Sequence, residues 1–298
     1  MSLADKVFVS MCQDILENGM STEGQKVRAK WEDGTPAYTI KKFGVVNRYD
    51  LSKEFPALTL RKTAIKSAFD ELLWIWQKKS NNVKDLNSHI WDKWARLDDT
   101  IGSSYGFQFQ KLYPFKDVTL TGLIKAFDDI EIVEKNAIIN ARPTSFIPLD
   151  ISDYTGKENS NAHLVFYDTI NNIAYLDQVD RVIYDLKNNP FSRRIMTNLF
   201  NFNDLWDMPL YPCAYSMTFN VTKDSEGNLV LNGILNQRSQ DILVANNWNV
   251  VQYALLVHMF AQICGMKVGE LIHVIADAHI YDRHIPLIKQ LIEAEPMD

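Results

Sequence analysis

The chain has 298 residues, 46% of them apolar and 23% charged, the balance of a soluble globular protein long enough for one large domain or two small ones. Thirty-seven acids against 31 bases leave a formal charge of -6, and a net negative field excludes general nucleic-acid or anionic-membrane binding unless the bases cluster. No run approaches the roughly 18 apolar residues of a membrane span, the N-terminal MSLADKVFVSMCQD carries acids where a leader would carry bases, and Cys12, Cys213 and Cys264 are an odd, widely spaced set without a CxxC pair. A disulfide scaffold and structural zinc are therefore not expected, and the cytoplasm is the expected compartment.

Apolar Val7, Met11, Ile15 and Leu16 fall on one helix face over 3–18, with Gly19 as a stop. Tyr38–Leu51 mixes β-branched and aromatic residues and reads as strands broken near Gly44. RKTAIKSAFDELLWIWQK (61–78) is apolar almost all round in its second half, the pattern of a buried helix. Leu120–Asp129 is helix-like, and helix 178–188 ends at Asn188-Asn189-Pro190, where proline cannot continue it. Strands over 214–222 and 228–237 flank the turn-rich 223–227 as a hairpin, helix 249–265 is the most apolar segment, and 270–281 reads as a strand after it. Intermixed helices and strands predict an α+β fold, a single domain over 1–298 built on a large mixed β-sheet packed by helices. Residues 115–172, with the polar run Ser152–Asn161, carry none of the motifs below and read as an insertion.

Cys213 lies in Met208-Pro-Leu-Tyr-Pro-Cys-Ala214, just before a predicted strand. A lone cysteine is either a small core residue or a nucleophile, and the second role needs cations to hold the thiolate. Arg193, Arg194 and Arg238 are candidates; a guanidinium fork also suits a phosphate dianion, and Ser239 adds a hydroxyl donor. Asp277, His279, Tyr281 and His284 crowd one strand end, either as satisfied edge groups or as part of a site. His279 and His284 lack further ligands at zinc spacing, so no metal is expected. Neither GxGxxG nor a Walker loop is present, so arginine rather than a glycine nest must hold any phosphate. Trp74, Trp76, Trp91 and Trp94 suit a core, or in part the floor of a pocket for a flat heterocycle.

In order, FPALTLRK (55–62), ELLW (71–74), IWDKWA (90–95), YGFQF (105–109), DQ (177–178), NNPFSRR (188–194), YPCAYSMTF (211–219), NQRSQD (236–241), WNVVQYALL (248–256) and DAHIYDRH (277–284) resemble the thymidylate synthase family over most of 20–293. The resemblance implies reductive methylation of dUMP to dTMP with 5,10-methylenetetrahydrofolate as co-substrate, and a homodimer. It implies Cys213 as the thiolate that adds to carbon 6 of uracil, because carbon 5 is a poor nucleophile until that addition makes an enolate. Arg238 matches a residue that touches phosphate and favours the charged sulfur, with Ser239 beside it, and Arg193 and Arg194 match a pair that reaches the partner's phosphate. Asn249 matches the base reader, whose carboxamide complements uracil N3–H and O4. His279 and Tyr281 match the pair that bonds the deoxyribose hydroxyl. Glu71 matches the carboxylate that organises water and proton transfer, and Tyr105 a residue implicated in removing the carbon 5 proton. Asp241 lies at a pterin-side position, and Ile90, Trp91 and Trp94 match the apolar wall for the folate.

The chain also departs from the family pattern. Ala214 stands where many members have histidine. The family's N-terminal phosphate arginine has no clean counterpart; VRAKWEDGTPAYT (27–39) offers Arg28 or Lys30, and Arg28 is adopted. Val244-Ala-Asn-Asn-Trp248 replaces Leu-Gly-x-Pro-Phe, so Ala245 stands where glycine lets folate approach, and Ala276 replaces a glycine before Asp277. The sequence ends at Met297-Asp298, where the family continues to a terminal carboxylate that closes over folate. A pyrimidine nucleotide hydroxymethylase of the same fold, with water trapping the exocyclic methylene, shares Cys213, the arginines and Glu71 and is the alternative. A non-catalytic nucleotide-binding protein is a second one.

Overall fold

A computed structural model describes residues 1–127, 130–134 and 163–296. Contacts divide the chain into two compact units, Met1–Leu72 with Pro212–Asp298, and Leu73–Tyr211.

The first unit is organised around a long strand. Helix α1 (Leu3–Asn18) opens it, with Ser2 and Asp5 bonding each other's backbone as a capping box. Its Ala4, Phe8, Met11, Cys12 and Ile15 are buried, and the Gly19 N–H closes the last turn on the Ile15 carbonyl at 2.9 Å. Strands β1 (Met20–Ser21) and β2 (Thr39–Asp50) follow, then α2 (Ile65–Trp76), the antiparallel hairpin β8 (Ala214–Lys223) and β9 (Leu229–Gln237), β10 (Gln240–Asp241), α6 (Asn246–Ile263), β11 (Lys267–Tyr281) and α7 (Ile285–Ile292). Within the unit the strands run in the order β1, β2, β11, β9, β8, with β10 against β11. β11 pairs antiparallel with β2 but parallel with β9, so the sheet is mixed. Parallel neighbours need a crossover, and α6 supplies it. Val250, Val251, Ala254 and Val257 of α6 are all buried, as its all-round apolar sequence requires. Residues at the ends of β9 and β11, at the start of β8 and ahead of β2 therefore meet at one end of the strands.

The second unit carries β3 (Tyr113–Phe115), β6 (Ile173–Leu176), β5 (His163–Asp168) and β4 (Ile130–Glu134) in that sheet order. Helix α3 (Gly106–Phe109) precedes this sheet, and α4 (Leu120–Ala126) and α5 (Gln178–Asn188) accompany it, before the short strand β7 (Met196–Asn198). Asp177 caps α5 by accepting from the Val179 and Asp180 amides. The described parts of 115–172 are not featureless: Val118, Leu123, Phe127, Val165 and Tyr167 form a buried cluster with Ala174 and Leu176 of β6 and Tyr184 of α5. The polar run 152–161 lies outside the described residues.

Three local expectations change. β2 is not broken at Gly44: the residue takes φ +74°, a conformation open to glycine, and the pairing with β11 keeps one register on both sides. The helix expected over 61–78 is shorter, Ile65–Trp76, and follows irregular chain with bends over 59–61. The helix expected over 249–265 begins at Asn246 and ends at Ile263, so Cys264 caps the helix, whereas Cys12 is buried within α1.

Candidate active site

Cys213 is half-buried immediately before β8, and the backbone N–H of Arg238, just past the end of β9, donates to its carbonyl at 3.0 Å. The hairpin thus fixes the sulfur beside the guanidinium: Arg238 Nη2 donates to Cys213 Sγ at 3.6 Å and Nε to the Pro212 carbonyl at 3.0 Å. Burial pushes the Cys213 thiol above its ordinary range, and Arg238 and Arg28 pull in the opposite direction without overcoming it. Arg28 is thereby placed within electrostatic reach of the sulfur.

The Arg28 segment is tied to the end of β11 by contacts the sequence did not announce. Its tight turn is closed by the Trp31 N–H on the Thr35 carbonyl at 2.9 Å. Trp31 Nε1 donates to Asp282 Oδ1 at 3.0 Å, and Arg283 Nη2 reaches Asp33 Oδ2 at 2.6 Å while its guanidinium lies 4.9 Å from the Trp31 ring centre. Trp31 also packs edge-on against Tyr281, which in turn meets the rings of His279 at 5.1 Å and His284 at 5.6 Å.

His279 is buried and lies 2.9 Å from Asp277 Oδ1 through Nδ1, so the carboxylate draws the ring proton to that nitrogen and leaves Nε2 as an acceptor. Burial acts to raise the Asp277 pKa, but bonds from His279 and Lys41 outweigh it and keep the carboxyl below its usual range. Tyr281 is pushed up by burial and by Asp241, Asp277 and Cys213, with Arg28 opposing. Asp241 pairs beside His279 in the β10–β11 ladder and accepts from the Val244 amide at 3.0 Å, which shapes the turn carrying Ala245. Ser239 lies half-buried between Arg238 and β10.

Two of the remaining residues of this unit stand on helices. Glu71 of α2 is 6% exposed, and its Oε2 accepts from Trp248 Nε1 at 2.6 Å and Gln252 Nε2 at 2.8 Å. Trp248 and Gln252 are one turn apart on α6, a spacing that puts both donors on one face. That i, i+4 pair was the only sequence signal for the clamp. Asn249, in the first turn of α6, accepts at Oδ1 from Gln237 Nε2 at 3.3 Å.

In the second unit, Trp91 is buried and forms an edge-on cluster with Trp94 at 5.5 Å and Tyr105 at 5.1 Å. Ile90 and Trp94 remain 38% and 36% exposed, enough apolar surface to receive a flat ring. Tyr105 takes φ +44°, a strained backbone for a side chain of that size, at the entry to α3. Arg193 and Arg194 are exposed, between exposed Phe191 and the strand at Met196. Among the described residues no group of three or more His, Cys, Asp or Glu is placed to hold a metal ion.

The thymidylate synthase family model matches residues 6–298. A thymidylate synthase of Bacillus subtilis subsp. natto is 38% identical over an alignment covering 100% of this chain and 86% of the relative. That of Bacillus phage phi3T is 37% identical with the same coverage. The solved thermostable thymidylate synthase A from Bacillus subtilis superposes with a TM-score of 0.72 at 35% identity, covering 100% of this chain and 86% of that one. The large mixed sheet packed by helices is the fold expected for such an enzyme, and the chain belongs to the thymidylate synthase family, methyltransferases that convert dUMP to dTMP.

Proposed function

We propose that Cys213 carries this reaction by adding, as a thiolate, to carbon 6 of dUMP, with 5,10-methylenetetrahydrofolate as co-substrate. The observation that carries the reading is the Arg238 guanidinium 3.6 Å from Cys213 Sγ at the end of the strands that also presents His279 and Tyr281. Burial alone leaves the sulfur protonated; a dianionic phosphate shared by Arg238, Arg28 and Ser239 would sit in the same cationic corner. Addition moves the electron pair of the 5,6 double bond to carbon 5 and its conjugated carbonyl, which makes carbon 5 nucleophilic. Asn249 reads N3–H and O4, and His279 Nε2 with Tyr281 holds the sugar hydroxyl. Carbon 5 then bonds to the one-carbon unit of the folate; Glu71, fixed by two N–H donors, orders water for proton transfer, and Tyr105 assists loss of the carbon 5 proton as the bond to the folate nitrogen breaks and leaves an exocyclic methylene. Hydride from the folate adds to that methylene and expels the Cys213 sulfur as thiolate, which restores the double bond.

The folate supplies the one-carbon unit and the hydride. The exposed apolar surface of Ile90 and Trp94, backed by Trp91, fits the flat ring of such a molecule, with Asp241 and Ala245 assigned to its pterin side. No helix among the described residues is long and apolar enough to cross a membrane, and we place the enzyme in the cytoplasm. It acts as a homodimer in which Arg193 and Arg194 serve the partner's phosphate. Exposed Phe191, Met196, Phe202 and Trp206 support a partner on that unit. The continuous family match supports reading 1–298 as one synthase domain, with 115–172 as an insertion in it.

Tritium release from carbon 5 of labelled dUMP, with and without methylenetetrahydrofolate, tests the reading when the product is weighed. Cys213→Ser is expected to abolish release while still binding dUMP, because the hydroxyl's far higher pKa removes the anion and leaves the other contacts. Full activity in that variant refutes the covalent route, and a product heavier by one oxygen than dTMP would return the hydroxymethylase that the names of the relatives disfavour.

A further inference from the structure

Arg28 is exposed, and the chain after it, 29–37, turns back on itself as a small arm. The Ala37 N–H donates to the Ala29 carbonyl at 3.0 Å, Lys30 pairs antiparallel with Pro36, and the Gly34 N–H donates to the Trp31 carbonyl at 2.9 Å. Residues 32–36 are all exposed, and a two-stranded turn of this kind is marginal by itself in water. Something outside the arm must hold it.

Trp31 is what the rest of the unit grips. Its Nε1 donates to Asp282 Oδ1 at 3.0 Å, and its ring meets Tyr281 at 5.7 Å and His284 at 5.5 Å, both edge-on. With the Arg283 guanidinium 4.9 Å from the ring centre, the successive residues Tyr281, Asp282, Arg283 and His284 close on one indole. Asp282 is itself fixed, its N–H on the Tyr38 carbonyl at 2.8 Å and its Oδ1 also accepting from the Arg283 amide at 2.8 Å. Arg283 bonds Asp33 and Thr35 of the arm as well, but its pair with Asp33 is 51% exposed on both sides, and an ion pair that open to solvent contributes little. The indole therefore carries the latch.

We propose that Trp31 is the positioning residue for Arg28: by fastening the 29–37 arm to the turn after β11, it holds that guanidinium in place for the phosphate before the nucleotide arrives. The reasoning rests on Arg28 as a phosphate residue. Arg28 lies at the root of the arm, one residue before Ala29, and its charge is felt at both Cys213 and Tyr281. A guanidinium on a loose arm must be ordered at the moment of binding, and the entropy of that ordering lowers affinity. The latch orders the arm beforehand. It also ties the arm to the residue directly after Tyr281, so one contact sets the spacing between the phosphate group and the sugar hydroxyl.

The test is the dissociation constant of dUMP and of deoxyuridine, each titrated calorimetrically into the unaltered protein, Trp31→Ala, Trp31→Phe, Asp282→Ala, Arg28→Gln and the double variant Trp31→Ala with Arg28→Gln. The ratio of the two constants isolates the phosphate within each sample. Partial loss of folded protein cancels in it, and a disturbance of Tyr281 or a merely structural role lowers both affinities together. Arg28→Gln is expected to narrow the ratio about tenfold, the lower end of what a hydrogen bond to a charged group is worth. Trp31→Ala should narrow it about fivefold, and the double variant no further than Arg28→Gln alone, because Trp31 acts through that guanidinium. Trp31→Phe keeps a ring beside Tyr281 and Arg283 and should recover at least half of the loss on a logarithmic scale. Asp282→Ala removes the acceptor of the indole N–H, should narrow the ratio about threefold, and reads the same latch if Trp31→Ala does not fold. Ratios within twofold of the parent in Trp31→Ala and Asp282→Ala, with Arg28→Gln shifted, overturn the proposal and leave Arg28 a phosphate residue. A further narrowing when Trp31→Ala is added to Arg28→Gln overturns it too. An unshifted ratio in Arg28→Gln refutes the phosphate assignment itself.

Discussion

Removing the charge beside the nucleophile tests the electrostatic core of the site. In Arg238→Gln the side chain keeps a polar end but loses the cation that lies 3.6 Å from Cys213 Sγ. Two unit charges at that separation interact by about 4–5 kcal/mol at an effective dielectric constant of about 20. Arg238 is only half-buried, and solvent screening reduces this to about 2 kcal/mol. That energy corresponds to about a thirtyfold smaller thiolate fraction at neutral pH. A less acidic thiol is a better nucleophile once ionised, which offsets part of the loss and leaves alkylation about 5- to 10-fold slower. The sign is fixed: burial already holds the Cys213 pKa above its ordinary value, Arg238 opposes that, and its removal raises the pKa further. The pH profile of iodoacetamide labelling should therefore move to higher pH. Cys213 labelling is followed by peptide mass in a Cys264→Ser background, while buried Cys12, whose thiol burial also pushes strongly upward, labels slowly. A neutral-pH rate within twofold of the parent, in a variant that still folds, would refute the assignment of Arg238 to the thiolate.

The remaining predictions concern assembly and stability. Mixing inactive Cys213→Ser chains with inactive Arg194→Ala chains should restore part of the activity, since one hybrid site receives both intact parts; an active monomer by ultracentrifugation contradicts this. Gln252→Leu removes a donor from a buried carboxylate oxygen and should lower stability by about 1–3 kcal/mol in urea unfolding. An unchanged midpoint would show that the Glu71 clamp is not energetically coupled to the fold.

Much of the architecture is local and was therefore readable. The end of helix 178–188 was bounded correctly because the following Asn-Pro acts within one turn of it. The hairpin of β8 and β9 was legible from period-two alternation on both sides of a turn-rich connection. Gly44 was misread because glycine ordinarily weakens a strand, yet eleven paired positions between β2 and β11 hold the strand through it. The ends of α6 were misplaced because an all-apolar helix gives no boundary signal from its face.

The sequence by itself supplied the residue types that the proposed chemistry uses, a cysteine, arginines, a carboxamide and a carboxylate, in an order that one family shares. The tertiary structure decided how they are held. Cys213 and Arg238 are 25 positions apart and meet because antiparallel β8 and β9 return to the same end of the sheet. Trp31 joins Asp282 across 251 positions, and Gln237 joins His273 across 36, through strand ladders whose register no local pattern specifies. His273 illustrates the difference most clearly. In ELIHVIADAHIY it is one polar residue on an inward-facing strand position; only burial, which lowers its pKa to about 3, and the neighbouring strand, which brings the Gln237 amide beside its Nε2, decide what surrounds it.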